Sequence, residues 1–499
     1  MRRAASRCSL VLLALVLGVA ARADGFDPDL SAKADAYQSF LEEWFTTGLG
    51  GLGSAVHFTD ASLAEVECYD YQGDSMIWTG SYLAGEAARY KVTGDPAARA
   101  EVLRIARYLH QAKEITGTLG YVARYAGPDR RPWNCGYESE GGWTVHGTGA
   151  YEGYFWVDHT SRDQYTGWWL GLSMAYDAVD DETMRATIRQ DMADVIEMLV
   201  GNQWHITDEN GQWTGNGAAW VGPTMRLSML VQTAHVTGDP YYRELLDRQY
   251  DLLLPTIGVD TDAFLNKYNE YFGNNLRHNA FLPIFRLWPD RPRLEKLFAI
   301  WMKHNRSYVA HTLNPWFDEV HVAGCRRLGN CSWEELQSIR ADAADTLDRY
   351  WDPPDYKRAV TCSAMPLDPF SVWMDQFLNE HPQLRGIINI GPQTEAPREI
   401  DDRHWTDQYW QSTPFEASCS GGADPRFVGA GADFLMAYWM GVYYGLLPGD
   451  GPYGDDAFEN DAPGDDAAWG DDPPAASPDD DAFDAGPAPR RSASGGCAS

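Results

Sequence analysis

The chain has 499 residues and a formal net charge of −32, from 72 acidic against 40 basic side chains, with an aromatic content of 13%. So acidic a surface repels nucleic-acid phosphate unless a basic groove intervenes, and the sequence shows no such groove, which argues against a nucleic-acid partner. Few stretches alternate long enough to build a large sheet, so the composition points to a helical protein.

The chain opens "MRRAASRCSLVLLALVLGVAARADG", a basic start, an apolar run and the small-residue pattern Ala21-Arg22-Ala23. This reads as a secretory signal peptide over 1–23. The expected location is therefore secreted or at the cell surface. The only other long apolar run, "FLMAYWMGVYYGLLPG" at 434–449, is short for a membrane span and ends in Pro and Gly. It reads as a buried helix, and no transmembrane segment is expected.

The body at 24–448 contains six cysteines: Cys68, Cys135, Cys325, Cys331, Cys362 and Cys419. An even count in an exported chain favours disulfides over catalytic thiols or zinc. The first-choice pairing is Cys68–Cys135, Cys325–Cys331 and Cys362–Cys419, one of many that six cysteines allow.

Helical patterns fall at about 34–47, 75–92, 96–113, 163–179, 182–201, 216–236, 240–254, 276–288, 291–310, 333–350, 366–380 and 432–446. Two passages match each other: "ARYKVTGDPAARAEVLRIARYLH" at 88–110 and "TAHVTGDPYYRELLDRQYDLL" at 233–253. In each, one helix stops at Thr-Gly, and Asp-Pro opens the next with Asp as cap and Pro at the first helical position. Within each pair the first helix is apolar all round and the second is amphipathic, the signs of a buried and a surface helix.

From about 449 to 499 the composition turns to Asp, Pro, Gly and Ala, which cannot form a core and reads as a disordered acidic spacer. The terminal "SGGCAS" resembles the start of a C-terminal surface-sorting signal of some Gram-negative bacteria, without the hydrophobic segment and basic end of such signals. Attachment to the cell surface through the tail is what that resemblance implies.

On the repeated hairpins and the "TGDP" connectors, the body at 24–448 resembles the six-hairpin glycosidase-like superfamily. The resemblance implies an all-α (α/α)6 toroid of six helical hairpins with long irregular loops, in which the loops entering the inner helices form a substrate funnel. The alternative is an irregular helical solenoid of stacked hairpins. The segments just before the inner helices are polar and aromatic, as a funnel requires: "YQGDSMIWTG", "CGYESEGGWTVHGTG", "TSRDQYTGWW", "GQWTGNGAAW", "EYFGNNLRHNAF" and "HWTDQYWQSTPF".

A sugar ring packs its C–H face on an aromatic ring, so Trp78, Trp143, Trp168, Trp213, Trp220 and Trp410 fit a saccharide funnel. Arg162, Asp163 and Gln164 would face the funnel from the head of their helix, with Gln164, Asn216 and Arg277 gripping hydroxyls or a carboxylate. Glycoside hydrolysis uses two carboxyl groups. Asp163 with Glu140 is the expected catalytic pair, with Glu138, Asp74 and Asp433 as further candidates. Asp163 also has a plain structural reading, as a first-turn acid that caps a helix and complements its dipole.

"GNNLRHN" supports a second chemistry, a polysaccharide lyase, with Asn275 and Arg277 neutralising a uronate and His278 or Tyr271 as base. The acidity of the protein opposes a polyanionic substrate, so lyase ranks below hydrolase. A surface protein that binds glycan without catalysis is the third reading. Asp318 with His321 and Asp401 with His404 lack a third ligand at helical spacing, so neither metal nor cofactor is expected. The expected partner is a poly- or oligosaccharide.

Overall fold

A computed structural model describes residues 28–46, 48–70, 72–135, 143–208, 210–214, 219–260, 271–385, 390–404, 412–449 and 451–452. The segment at 1–23, expected to be a signal peptide, and most of the acidic tail lie outside the described residues.

The fold is mostly helical. The helices are α1 (Pro28–Trp44), α2 (Ser75–Thr93), α3 (Pro96–Glu114), α4 (Arg162–Ala178), α5 (Glu182–Gly201), α6 (Pro223–Thr237), α7 (Pro240–Asp260), α8 (Phe272–Leu287), α9 (Arg291–Trp301), α10 (Pro315–Leu328), α11 (Trp333–Asp348), α12 (Pro369–Glu380) and α13 (Ala432–Tyr443). A π-helical turn at Met302–Arg306 prolongs α9.

The connectors work as the sequence leads one to expect. Gly94 ends α2 in the left-handed region at φ 60°, where glycine carries no side-chain penalty. Asp95 then accepts from the Ala97 amide at 2.9 Å, with Pro96 opening α3. Gly238, Asp239 and Pro240 repeat the device between α6 and α7. Asp181, Asp290 and Ser332 cap α5, α9 and α11 in the same way.

α2 packs with α3, α4 with α5, α6 with α7, α8 with α9, α10 with α11, and α13 with α1. The first-named helices also touch in succession, α2 to α4, α6, α8, α10 and α13, and α13 packs back on α2. α2, α4 and α13 are buried on nearly every side, whereas α3 and α5 bury one face. The apolar segment at 434–449 supplies much of α13, and among the described residues no helix is long and apolar enough to cross a membrane.

The sequence reading missed α10. It counted 366–380 among its twelve helices, but α12 stands aside with its own small core of Leu378 and Ile390, packed by Phe370, Met374, Phe377 and Leu384. Asp318, Glu319 and His321 lie within α10 and are buried, which hides its apolar face from a periodicity count. The "DEVH" acid and imidazole that drew notice as metal ligands are tied into ion pairs: Arg306 with Asp318 at 2.5 Å, and His321 with Glu335 at 3.1 Å.

Two antiparallel sheets sit in the long connections. One has the order β2 (Val66–Asp70), β1 (Ala55–Phe58), β7 (Asp424–Gly429), β6 (Tyr356–Lys357). The other has β3 (Tyr125–Pro128), β5 (Tyr154–Val157), β4 (Thr144–His146). The three disulfides follow the first-choice pairing, with Cα separations of 5.8 Å for Cys68–Cys135, 4.9 Å for Cys325–Cys331 and 5.2 Å for Cys362–Cys419.

α2 and α4 approach at their backbones. A Cβ on Gly80 would lie 2.0 Å from the Gly167 carbonyl oxygen, one on Gly167 would lie 2.2 Å from that of Ile77, and one on Gly171 would lie 2.5 Å from that of Gly80. The contacts advance in step along both helices, so the two run parallel. At the far ends of α4, α6 and α8, Asp177 accepts from His235 at 2.7 Å and from Arg286. These three helices therefore finish at one end, and α2 and α4 begin together at the other.

Gly80→Ala drives a methyl into a backbone that cannot yield, so it is expected to lower stability by about 2–3 kcal/mol, against the small gain alanine brings in an open helix. Gly201→Ala, with nothing near its added Cβ, is the control. Denaturant midpoints of both variants check this; equal midpoints would contradict the close approach.

Candidate functional site

α4 begins at Arg162, after a segment in which His159 takes the left-handed conformation at φ 55°, which few side chains adopt. That turn aims the His159 carbonyl at Arg124, whose Nε donates to it at 2.8 Å. The same guanidinium reaches the Gly73 carbonyl at 2.5 Å, Asp74 Oδ1 at 3.3 Å and Ser161 Oγ at 3.4 Å. Arg124 therefore pins the entry of α2 to the entry of α4. Gln164 adds a second tie, donating from Nε2 to Asp74 Oδ1 at 3.0 Å.

Asp163 stands between these groups. Ser161 is the N-cap of α4 and makes no side-chain cap hydrogen bond, and Asp163 is the acid of the first turn, where it complements the helix dipole. Burial raises its proton affinity above the ordinary aspartate value; Arg162 and Arg124 oppose this, and the charge of Asp74 adds to it. Arg162 is a loose counter-ion, with Nε 3.6 Å from Asp163 Oδ1. Solvent still reaches all three groups, with side-chain exposures of 49% for Asp74, 25% for Asp163 and 37% for Arg162.

Aromatic rings flank the pair. Trp143 packs on Tyr125, Phe155 and Val157, with the His159 ring 5.1 Å away and Arg124 5.7 Å from its centre. On the other side, the segment before α6 folds back through bridges of His205 to Trp220 and Thr207 to Trp213. Thr214 ties it to the Thr160 carbonyl at 2.5 Å. Trp220 and Trp213 are 41% and 65% exposed, as are Trp333 and Trp373 elsewhere at 52% and 55%; what sets the first two apart is that they stand together beside the carboxyl groups. Arg226 lies 5.1 Å from the rings of both Trp204 and Trp220, and His205 stacks on Trp213 at 4.1 Å.

The structure brings Arg162, Asp163, Gln164, Trp143 and Trp220 together with Asp74. Trp78 and Trp168 are instead buried in the helix wall, Trp168 donating to the Leu109 carbonyl at 3.1 Å. Asn275 is buried on α8, and Arg277, half-buried, is 3.5 Å from Asn274 Oδ1. His278 is wholly buried, stacked on Phe317 at 3.8 Å, with Nδ1 2.6 Å from the Asn274 carbonyl. Burial pushes its pKa down to about 3, so the ring is neutral and shielded. Tyr271, the other base considered, is buried against Thr312. Glu138, Glu140, Asn216 and Trp410 lie outside the described residues.

Sequence reasoning overlooked Arg124, His159 and Arg226. Arg124 had one signal, a lone charge in the otherwise apolar lead-in "GYVARYAG".

A carboxyl whose proton affinity is raised by folding stabilises the fold fully below its unfolded pKa and loses that contribution as pH rises through the folded value. Asp163→Asn removes this dependence. Its thermal midpoint relative to the wild type is expected to climb as the pH goes from 4 to 8; a gap that stays flat or shrinks would contradict the buried, weakly countered carboxyl. No protein-family model matches the chain, and no curated protein matches it significantly.

Proposed function

We propose that the protein is an exported glycoside hydrolase, with its six hairpins arranged as an (α/α)6 toroid and its site at the entry of α2 and α4. The observation that carries this reading is the convergence of two solvent-reached carboxyl groups, Asp74 and Asp163, with the partly buried Trp143 and the 41% exposed Trp220 on either side. A saccharide offers what such a mouth accepts, an apolar C–H face for the rings and an acetal oxygen for an acid.

The two carboxyls sit in unlike surroundings, the condition under which one acts as acid and the other as base or nucleophile. Asp163, biased toward its protonated form by burial and by Asp74, donates its proton to the leaving glycosidic oxygen. Asp74, oriented by Arg124 and Gln164, activates water or attacks the anomeric carbon. In this account Asp74 takes the partner role first expected of Glu140. The three disulfides suit an exported protein. A lyase mechanism loses support because His278 and Tyr271 are buried.

The test is product formation by the purified protein on a panel of neutral and uronate-containing polysaccharides, reading reducing ends together with ultraviolet absorbance. New reducing ends without absorbance are expected, reduced about 10²–10⁴-fold in Asp163→Asn and in Asp74→Asn. Absorbance that rises with the reducing ends would make it a lyase. Glycan binding without products would leave a binding protein.

A further inference from the structure

Three guanidinium groups stand at this mouth, and their partners differ. Arg124 is spent on Gly73, Asp74, His159 and Ser161. Arg226 donates to the Val221 carbonyl at 2.7 Å and is sandwiched between Trp204 and Trp220. Arg162 is underused. Its Nη1 reaches the Trp220 carbonyl only at 3.4 Å, and its Nε, buried, has no hydrogen-bond partner. The contact with Asp163 at 3.6 Å is an ion pair beyond hydrogen-bond length.

A guanidinium carries several N–H donors in a planar fork that matches a carboxylate, and a half-buried one with idle donors has paid desolvation without compensation. The 3.4 Å contact is to the main-chain carbonyl of Trp220, a residue 41% exposed whose ring also has Arg226 5.1 Å from its centre. A sugar packed on the exposed part of Trp220 would lie in the neighbourhood of Arg162.

Resting on the hydrolase reading above, we propose that Arg162 docks a carboxylate carried by the sugar, so that the substrate class of this mouth is an acidic, uronate-bearing glycan. The net charge of −32 does not forbid this. Charges more than about 8 Å away are screened at physiological ionic strength, while a partly desolvated contact pair is screened much less. Docking also has a catalytic consequence. A carboxylate that draws Arg162 away from Asp163 removes a cation that holds the proton affinity of Asp163 down, leaving Arg124 as the opposing cation and Asp74 as the reinforcing charge, so an acidic substrate would help to protonate its own acid.

The experiment is calorimetric binding of uronate trisaccharides and of their methyl esters, which keep the ring and remove the charge, to the full chain. The wild type should prefer the acid over the ester by at least about tenfold. Arg162→Gln should erase that preference and leave ester binding unchanged, and Arg162→Lys should keep part of it. Equal binding of acid and ester by the wild type, or a preference that survives in a folded Arg162→Gln, would overturn the proposal while leaving a neutral-sugar hydrolase standing. Failure of every sugar, charged or neutral, to bind would overturn the hydrolase reading and this inference with it.

Discussion

Everything at the mouth depends on the approach of two helix backbones. Gly80, Gly167 and Gly171 let α2 and α4 come so close that a Cβ on any of them would strike a main-chain carbonyl. With side chains removed from the contact, the relative height of the two helices is set by the backbones and cannot drift with a rotamer change. The entry residues inherit that precision. Asp74 ends the turn before α2, Asp163 lies in the first turn of α4, and Arg124 and Gln164 brace the gap between them. A site carried on rigid elements and held by a second layer of hydrogen bonds is what positional chemistry requires.

The two ends of α4 show how geometry decides the state of a carboxyl. Burial acts on Asp177 as on Asp163, but at Asp177 the adjacent Arg286 and His235 outweigh it, and the group is held below the ordinary aspartate range. At Asp163 the nearest guanidinium stands off at 3.6 Å and burial prevails. At nearly equal side-chain exposure, 28% and 25%, one helix thus carries a fully compensated acid at the end where three helices are tied together and a poorly compensated one at the other. The first is a structural ion-pair network; the second is the kind of stored imbalance that catalytic groups carry.

Much of the chain organisation was legible because it rests on local chemistry. Thr-Gly-Asp-Pro specifies a left-handed glycine, a capping carboxylate and a proline at the first helical position, and Gly94-Asp95-Pro96 and Gly238-Asp239-Pro240 fold that way. The even cysteine count pointed to disulfides and the short loop to Cys325–Cys331, while the other two pairs matched a first choice that sequence could not derive. α10 was hidden for a reason the structure supplies: its buried face includes Asp318, Glu319 and His321, and Arg306, which the π turn after α9 carries, pairs with Asp318. The site was half legible. Polar and aromatic residues at the helix entries marked the place, but a tryptophan at a helix entry does not disclose which way it faces. Trp168 points into the wall and Trp220 out to solvent. Arg124 escaped notice because its partners Gly73, Asp74, His159 and Ser161 come from two stretches of chain, each remote from it in sequence.

The central claim is that a saccharide occupies the entry of α2 and α4, with its scissile oxygen at Asp163. A crystal structure of Asp163→Asn soaked with an oligosaccharide tests this most directly. The account predicts sugar density against the Trp220 ring, with a glycosidic oxygen within hydrogen-bond reach of residue 163 and a water or the anomeric carbon facing Asp74. Density bound elsewhere on the protein, with this mouth holding only solvent, would contradict it.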